Sequence, residues 1–162
     1  MYYLELFDLL NRSKVKYLVV GGVALVLHGV VRFTADIDMM LDLSKDNLTK
    51  FFGVLKQLKF IPKLPVKMED LASEALRKKW AKEKNMVVFS FVKDDYKIID
   101  VFVENPLDFE KAYSRKQTKR AENTVVDVIS FDDLIELKKL SARDQDMMDI
   151  KMLEELRDEA NK

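Results

Sequence analysis

Asp36 and Asp38 stand two positions apart in Thr34-Ala-Asp36-Ile-Asp38, and a third aspartate, Asp100, interrupts the apolar run Ile98-Ile99-Asp100-Val101-Phe102-Val103. On an extended chain, residues two apart share a face, with Cα atoms roughly 6.5 to 7 Å apart. The first pair would therefore project side by side. Like charges that close resist joint burial, and a divalent cation between them removes the repulsion; hard oxygen ligands favour magnesium or manganese. An isolated Asp-x-Asp is equally what an exposed strand face or a turn would carry. Asp100 changes the context, because an aspartate in a central strand is costly unless it is paired or bound to a cation. Either a lysine or arginine partners it, or it joins Asp36 and Asp38. Three carboxylates on adjacent strands would suit two-metal phosphoryl chemistry. Asp94 and Asp95 fall in an expected turn and Asp127 alternates outward from Val126 and Val128, so none of these three is assigned a function.

Upstream, Gly21-Gly22 follows a β-rich run and precedes a short helix. Backbone amides at such a turn can receive a phosphate, and a tight turn that only glycine permits is the plain alternative. The spacing fits neither a Walker loop nor a dinucleotide fingerprint. Lys138 lies three positions after Ile135 and four after Leu134, which puts it on their inward stripe. It either snorkels past the core or points into a cleft, with triphosphate charge as its partner there. Arg143 and Asp146 sit one helical turn apart and can pair with each other. His28, the single histidine, reads as a packed or capping residue in a short apolar helix. The cluster Arg77-Lys78-Lys79-x-x-Lys82-x-Lys84 reads as a solvated helix face that could touch a polyanionic acceptor.

These residues need elements to hold them. Leu4, Phe7 and Leu10 predict a helix over 2–12, and Lys16 to Val20 predicts a buried strand running into the glycine turn. A helix is expected from about Val23 to His28, ended by Gly29, and then an alternating strand from Thr34 to Asp42. Ser44 is a natural N-cap for the helix that carries Leu48, Phe51, Phe52 and Leu55. Phe60 to Val66 reads as a connection or edge segment, and Glu69 to Lys84 as one charged helix. Met86 to Val92 and Lys97 to Val103 read as a hairpin across Lys93-Asp94-Asp95-Tyr96. Thr124 to Ile129 reads as a strand, within a stretch from Lys116 that could hold a pair. Helices over 131–141 and about 144–160 finish the chain. The expected class is α/β (α+β): one domain, a mixed twisted sheet of at least four strands, and flanking helices.

The 162 residues carry 28 basic and 28 acidic side chains, so no global field draws the chain to nucleic acid or to a membrane surface. The absence of cysteine removes disulfides, thiolate metal sites and cysteine nucleophiles. No apolar run approaches the roughly 20 residues of a membrane-spanning helix, and the acidic, amphipathic N-terminus does not read as a signal peptide. A soluble, cytoplasmic protein with no membrane partner is the expectation.

Together, Gly21-Gly22, Arg32, Thr34-x-Asp36-x-Asp38 and Asp100 resemble the nucleotidyltransferase superfamily with the DNA polymerase beta-like fold. The Gly-Gly start and the His28-Gly29 spacing look most like small members related to the AbiEii toxins and to antibiotic nucleotidyltransferases. Leu134-Ile-x-x-Lys138, then Arg143, Asp146 and Asp149-Ile150, is similar to that family's late helical motif, so the resemblance spans about Lys16 to Leu153. It implies transfer of a nucleoside monophosphate from a nucleoside triphosphate to an acceptor hydroxyl. Asp36, Asp38 and Asp100 would be the catalytic and metal-holding carboxylates, with Mg2+ (or Mn2+) as cofactor and Asp100 accepting the acceptor's proton. Gly21, Gly22, Arg32, Thr34 and Lys138 would bind the nucleotide. Many relatives have Gly-Ser where this chain has Gly21-Gly22, so phosphate binding here would depend on the amides, Arg32 and Lys138. The acceptor is left open among a small molecule, a protein side chain and a tRNA end, and a second copy of the chain is a candidate partner. The alternative from another class is a non-catalytic nucleotide-binding or toxin-antitoxin partner module with the same fold.

Overall fold

The computed structural model describes residues 2–94 and 96–162; Met1 and Asp95 lie outside the described residues, and with Asp95 goes part of the expected turn. The elements run α1 (Tyr2–Arg12), β1 (Tyr17–Val20), α2 (Gly21–Leu27), β2 (Ile37–Leu41), α3 (Lys45–Gln57) and β3 (Ile61–Pro62). After a 3-10 turn (Met68–Ala72) come α4 (Glu74–Lys84), β4 (Val88–Lys93), β5 (Lys97–Phe102), α5 (Phe109–Ser114), β6 (Gln117–Ala121), β7 (Thr124–Val128), α6 (Phe131–Ser141) and α7 (Asp144–Ala160). The strands form a mixed sheet of seven in the order β3-β4-β5-β2-β1-β7-β6. In it β1 is antiparallel to β2 and parallel to β7, and β2 is parallel to β5.

Apart from the Lys93–Lys97 pair at the end of its hairpin, one face of β2, β5 and β4 is apolar. Ile37, Met39, Leu41, Ile99, Val101, Phe89 and Phe91 are all essentially inaccessible to solvent, and Phe51 of α3 packs edge-on against Phe91. Burying side chains of this size contributes about 1.5 to 3 kcal/mol each, which fixes the strand register, since a slip of one residue would turn every one of them outward. The polar members of the same strands, Asp38, Ser90 and Asp100, must then face the other way. β1 is covered on both faces, and all four of its residues are buried.

Several expectations are redrawn. The strand expected over 34–42 is formed only at Ile37–Leu41, so Asp36 precedes the ladder and is not held by it. The helix after β1 begins at Gly21 itself and is capped by His28, with Gly29 beyond it at φ +106°. The single helix expected over 69–84 is interrupted because Ser73 takes an extended conformation and caps α4, accepting from Leu76 N at 3.1 Å. Arg77 is thereby drawn out of the expected solvated face: it is buried and donates to Leu71 O at 2.7 Å, satisfying a carbonyl that the interrupted helix leaves open. Its neighbours Lys78, Lys79, Lys82 and Lys84 are exposed, as the pattern implied. The stretch from Lys116 holds a complete β6–β7 hairpin, in which Asp127 pairs with Lys116 at 3.0 Å and accepts from Thr118. Ser44 caps α3 as expected, accepting from Asn47 N at 3.3 Å. No helix among the described residues is long and apolar enough to cross a membrane.

Candidate active site

The sheet register brings the predicted carboxylates together. Asp38 pairs directly with Asp100 across the parallel β2–β5 ladder, and Asp100 pairs with Ser90 across β5–β4, so the three lie in one row on the less covered face. Ser90 Oγ donates to Asp100 Oδ1 at 2.5 Å. On the other side of Asp38 is Val20, the last residue of β1, from which the chain turns at once into Gly21.

That turn explains both glycines. Gly21 has φ +64°, and a Cβ there would overlap Asp38 Oδ2 and lie 2.9 Å from Asp38 Cγ. A Cβ on Gly22 would stand 2.6 Å from Thr34 Oγ1 and 3.0 Å from Thr34 Cβ. The pair is glycine because a carboxylate and a hydroxyl press against its backbone. Where the sequence left this turn without a hydroxyl, Thr34 places one beside Gly22.

Burial, reinforced by the charges of Asp100 and Asp36, pushes the Asp38 carboxyl up to about 7, and Lys138 and Arg143 offset only part of that rise. Asp100 is also raised, first by burial and then by Asp36, against the hydrogen bond from Ser90. Asp38 has no ion pair of its own among the described residues. This is a donor set of hard oxygens with negative charge left uncompensated, the chemistry that a magnesium or manganese ion fits. The expected closed triad is not preformed: among the described residues no three acidic or histidine side chains stand together as a ready metal-ligand group. The physical reason is the late start of β2, which pins Asp38 beside Asp100 and leaves Asp36 in the preceding loop.

Facing this row is a second cluster built on α6 and α7. Lys138, buried on the stripe of Leu134 and Ile135, donates to Asp149 Oδ2 at 3.0 Å and to Asp146 Oδ1 at 3.4 Å. Arg32 reaches the same Asp149 oxygen at 2.6 Å, and Gln145 donates to its other oxygen at 3.0 Å. Arg143 caps α7, its backbone N and Nε donating to Asp146 Oδ2 at 3.1 and 2.9 Å. Burial alone would raise both carboxyls, but Arg143, Ser141 and Lys138 around Asp146, and Gln145, Lys138 and Arg32 around Asp149, hold them below the ordinary range. Arg32 and Lys138, read from sequence as ligands of a phosphate, are thus held here by carboxylates. Asp149, named in the sequence only as part of the late helical motif and given no role there, is the centre of this cluster. The signal was present: Asp146, Asp149, Ile150 and Leu153 are the buried stripe of α7, and two of the four are acidic.

A cavity of about 590 Å³ joins the two clusters, with Gly21, Asp38 and Asp100 on its wall together with Lys138, Arg143 and Asp146. His28 stays outside it. Its Nε2 lies 2.8 Å from Ile129 O and its ring meets Phe131 edge-on, so it ties α2 to the start of α6, and burial lowers its pKa.

Comparison with known proteins bears on this arrangement. Residues 4–160 match the model of a family described as nucleotidyltransferase of unknown function (DUF6036). The chain belongs to that family. It is accordingly a nucleotidyltransferase, and the mixed sheet with the helices around it is the nucleotidyltransferase fold. The fold is shared with a lincosamide antibiotic adenylyltransferase, LnuA, solved with lincomycin bound (TM-score 0.61, 18% identity, covering 94% of this chain and 96% of that one). It is shared also with the antibiotic-resistance factor ANT(2'')-Ia (TM-score 0.61, 11% identity, 98% and 89% covered). A Thermotoga maritima protein assigned as a nucleotidyltransferase is similar as well (TM-score 0.57, 15% identity, 99% and 91% covered). No curated protein matches the chain in sequence at a significant level.

Proposed function

We propose that this nucleotidyltransferase moves a nucleoside monophosphate from a nucleoside triphosphate to the hydroxyl of a small-molecule acceptor, with Asp36, Asp38 and Asp100 as its metal-holding carboxylates. The observation that carries the reading is the direct pairing of Asp38 with Asp100, with the Asp38 carboxyl pushed up to about 7 in the wall of a cavity. Bound magnesium or manganese supplies charge stabilisation for the transferring phosphoryl group and lowers the repulsion among the carboxylates. The protein's own groups do the rest. Gly21 and Gly22 give a turn without side chains against which the triphosphate can lie, with the Thr34 hydroxyl beside it. Lys138 contributes a buried positive charge at the cavity wall. Arg32, tied to Asp149, steadies the loop that carries Thr34 and Asp36. Asp100, its basicity raised by burial, takes the proton from the acceptor hydroxyl. The acceptor oxygen forms its bond to the α-phosphorus as the bond from that phosphorus to the bridging oxygen breaks, and pyrophosphate leaves. A small-molecule acceptor is supported by LnuA, a structural neighbour solved with lincomycin.

The test is a titration of wild type and Asp38→Asn with a nucleoside triphosphate in the presence and absence of magnesium. Magnesium-dependent binding in the wild type and its loss in the variant are expected; equal magnesium-dependent binding in both would sink the assignment.

A further inference from the structure

The carboxylate row is polar, but what lies immediately along the same face is not. On β5, Phe102 follows Asp100 at the two-residue spacing that puts them on one side, and on β4, Val88 stands in the same relation to Ser90; Val88 and Phe102 are cross-strand partners. Both are only partly covered, whereas Phe89, Phe91, Ile99 and Val101 on the opposite face are sealed. Pro106, Leu137 and Leu140 complete this wall with Val87 at its rim, and Val87 and Leu140 are 64% and 63% exposed. An apolar strip at the wall of a cavity is where a ligand's apolar surface is removed from water.

Charge narrows the occupant. The cations among the cavity's lining residues, Lys138 and Arg143, are both paired with Asp146. The exposed lysines of α4 do not line it. An acceptor bearing several phosphates or carboxylates would meet a wall that also carries Asp38 and Asp100, with no unpaired cation among the lining residues to balance it. The volume, about 590 Å³, must also hold the reacting end of the nucleotide, which leaves room for a molecule of modest size.

We infer that the acceptor is a hydroxyl compound without anionic groups and with a flat apolar face, seated on Val87, Val88, Phe102, Pro106, Leu137 and Leu140 with its hydroxyl directed at Asp100. The inference rests on the nucleotidyl-transfer reading and deepens it. The hydroxyl attacks the α-phosphorus, its proton passes to Asp100, and pyrophosphate departs with the electron pair of the broken bond.

The experiment uses the full chain and 2-naphthol, a flat, uncharged, fluorescent hydroxyl compound, as the probe, with sorbitol and a short single-stranded RNA bearing a free 3′-hydroxyl as competitors. Fluorescence titration is run on wild type, Leu140→Asp and Val87→Asp, two exposed positions at which a charged side chain is compatible with folding. A separate arm measures magnesium-dependent nucleotide binding by calorimetry. Saturable 2-naphthol binding is expected, weakened about tenfold in each variant, with nucleotide affinity unchanged and neither competitor displacing the probe. Displacement by the RNA or by sorbitol, no saturable binding, or equal affinity in all three proteins overturns the inference. Loss of magnesium-dependent nucleotide binding in the wild type, with the 2-naphthol pattern intact, counts against the transfer reading alone and leaves the apolar seat standing.

Discussion

Asp38 and Asp149 are the same side chain, both withdrawn from solvent, and they are driven in opposite directions. Asp149 is fully buried, yet it receives Lys138, Arg32 and Gln145, and its carboxyl stays below the ordinary range. Asp38 receives no such set of donors: burial first, and then the like charges of Asp100 on β5 and Asp36 in the preceding loop, push it up to about 7. From the ordinary value of 3.8, a rise of that size corresponds to about 4 kcal/mol of preference for the neutral form. Burial raises both carboxyls, and only at Asp149 do the hydrogen bonds and charges brought to it outweigh that rise. The Asp149 cluster is electrostatically complete and holds the loop after α2, α6 and α7 together. The Asp38 row is incomplete, and that incompleteness is what a cation and a triphosphate can use.

The contrast can be broken from either side. The largest effect is expected from Asp38→Asn, which removes a metal-holding oxygen from the row: pyrophosphate release should fall by about a thousandfold, while thermal unfolding of the metal-free protein above pH 7 shifts to higher temperature. Removing charge from the complete cluster should do the reverse. Asp149→Asn leaves Arg32 without its carboxylate and Lys138 with Asp146 alone, and should lower stability by about 3 kcal/mol in denaturant unfolding, with a matching fall in melting temperature.

The two carboxyls also have opposite pH signatures. The native state holds a proton on Asp38 more tightly than the unfolded chain does, so this group's contribution to stability falls as pH rises from 3.8 towards about 7 and is level above that. Asp149 and Asp146, being depressed, contribute above the ordinary carboxylate value, and their contribution is lost as pH falls through the range below it. Melting curves of metal-free wild type against pH should therefore decline on the neutral side of their maximum. Asp38→Asn should reduce that limb, with the raised Asp100 supplying what remains of it, and a limb unchanged by the substitution would show that Asp38 does not cause it. The smallest expected effect is steric. Gly22→Ala should cost about 1 to 3 kcal/mol because its Cβ meets Thr34, and Thr34→Ala in the same chain, which removes the hydroxyl but keeps Cβ, should recover part of the loss in melting temperature.

The acidic row was largely legible in the sequence, because a polar residue inside an apolar strand has few explanations. Asp100 among Ile98, Ile99, Val101 and Phe102 could be placed in a strand and asked for a partner. Lys138 was legible for the same reason, as a charge on the stripe of Leu134 and Ile135. Its actual partners were not, since whether a buried lysine meets a phosphate or a carboxylate depends on which helix crosses it. The short α5 and the break at Ser73 were also missed, each being set by a cap of one or two hydrogen bonds that leaves little trace in hydrophobic period.

By itself, then, the sequence determined the alternation that puts Asp38 and Asp100 on the polar side of their strands, the inward stripes of α6 and α7, and the turn at Gly21-Gly22. These are local consequences of a two-residue or 3.6-residue period. The tertiary structure alone decided that Asp38 stands beside Asp100, that Thr34 fills the space a side chain on Gly22 would need, and that Arg32 and Lys138 converge on Asp149 from separate elements. Those pairings join residues up to 117 positions apart, and they are fixed by strand order and helix crossing.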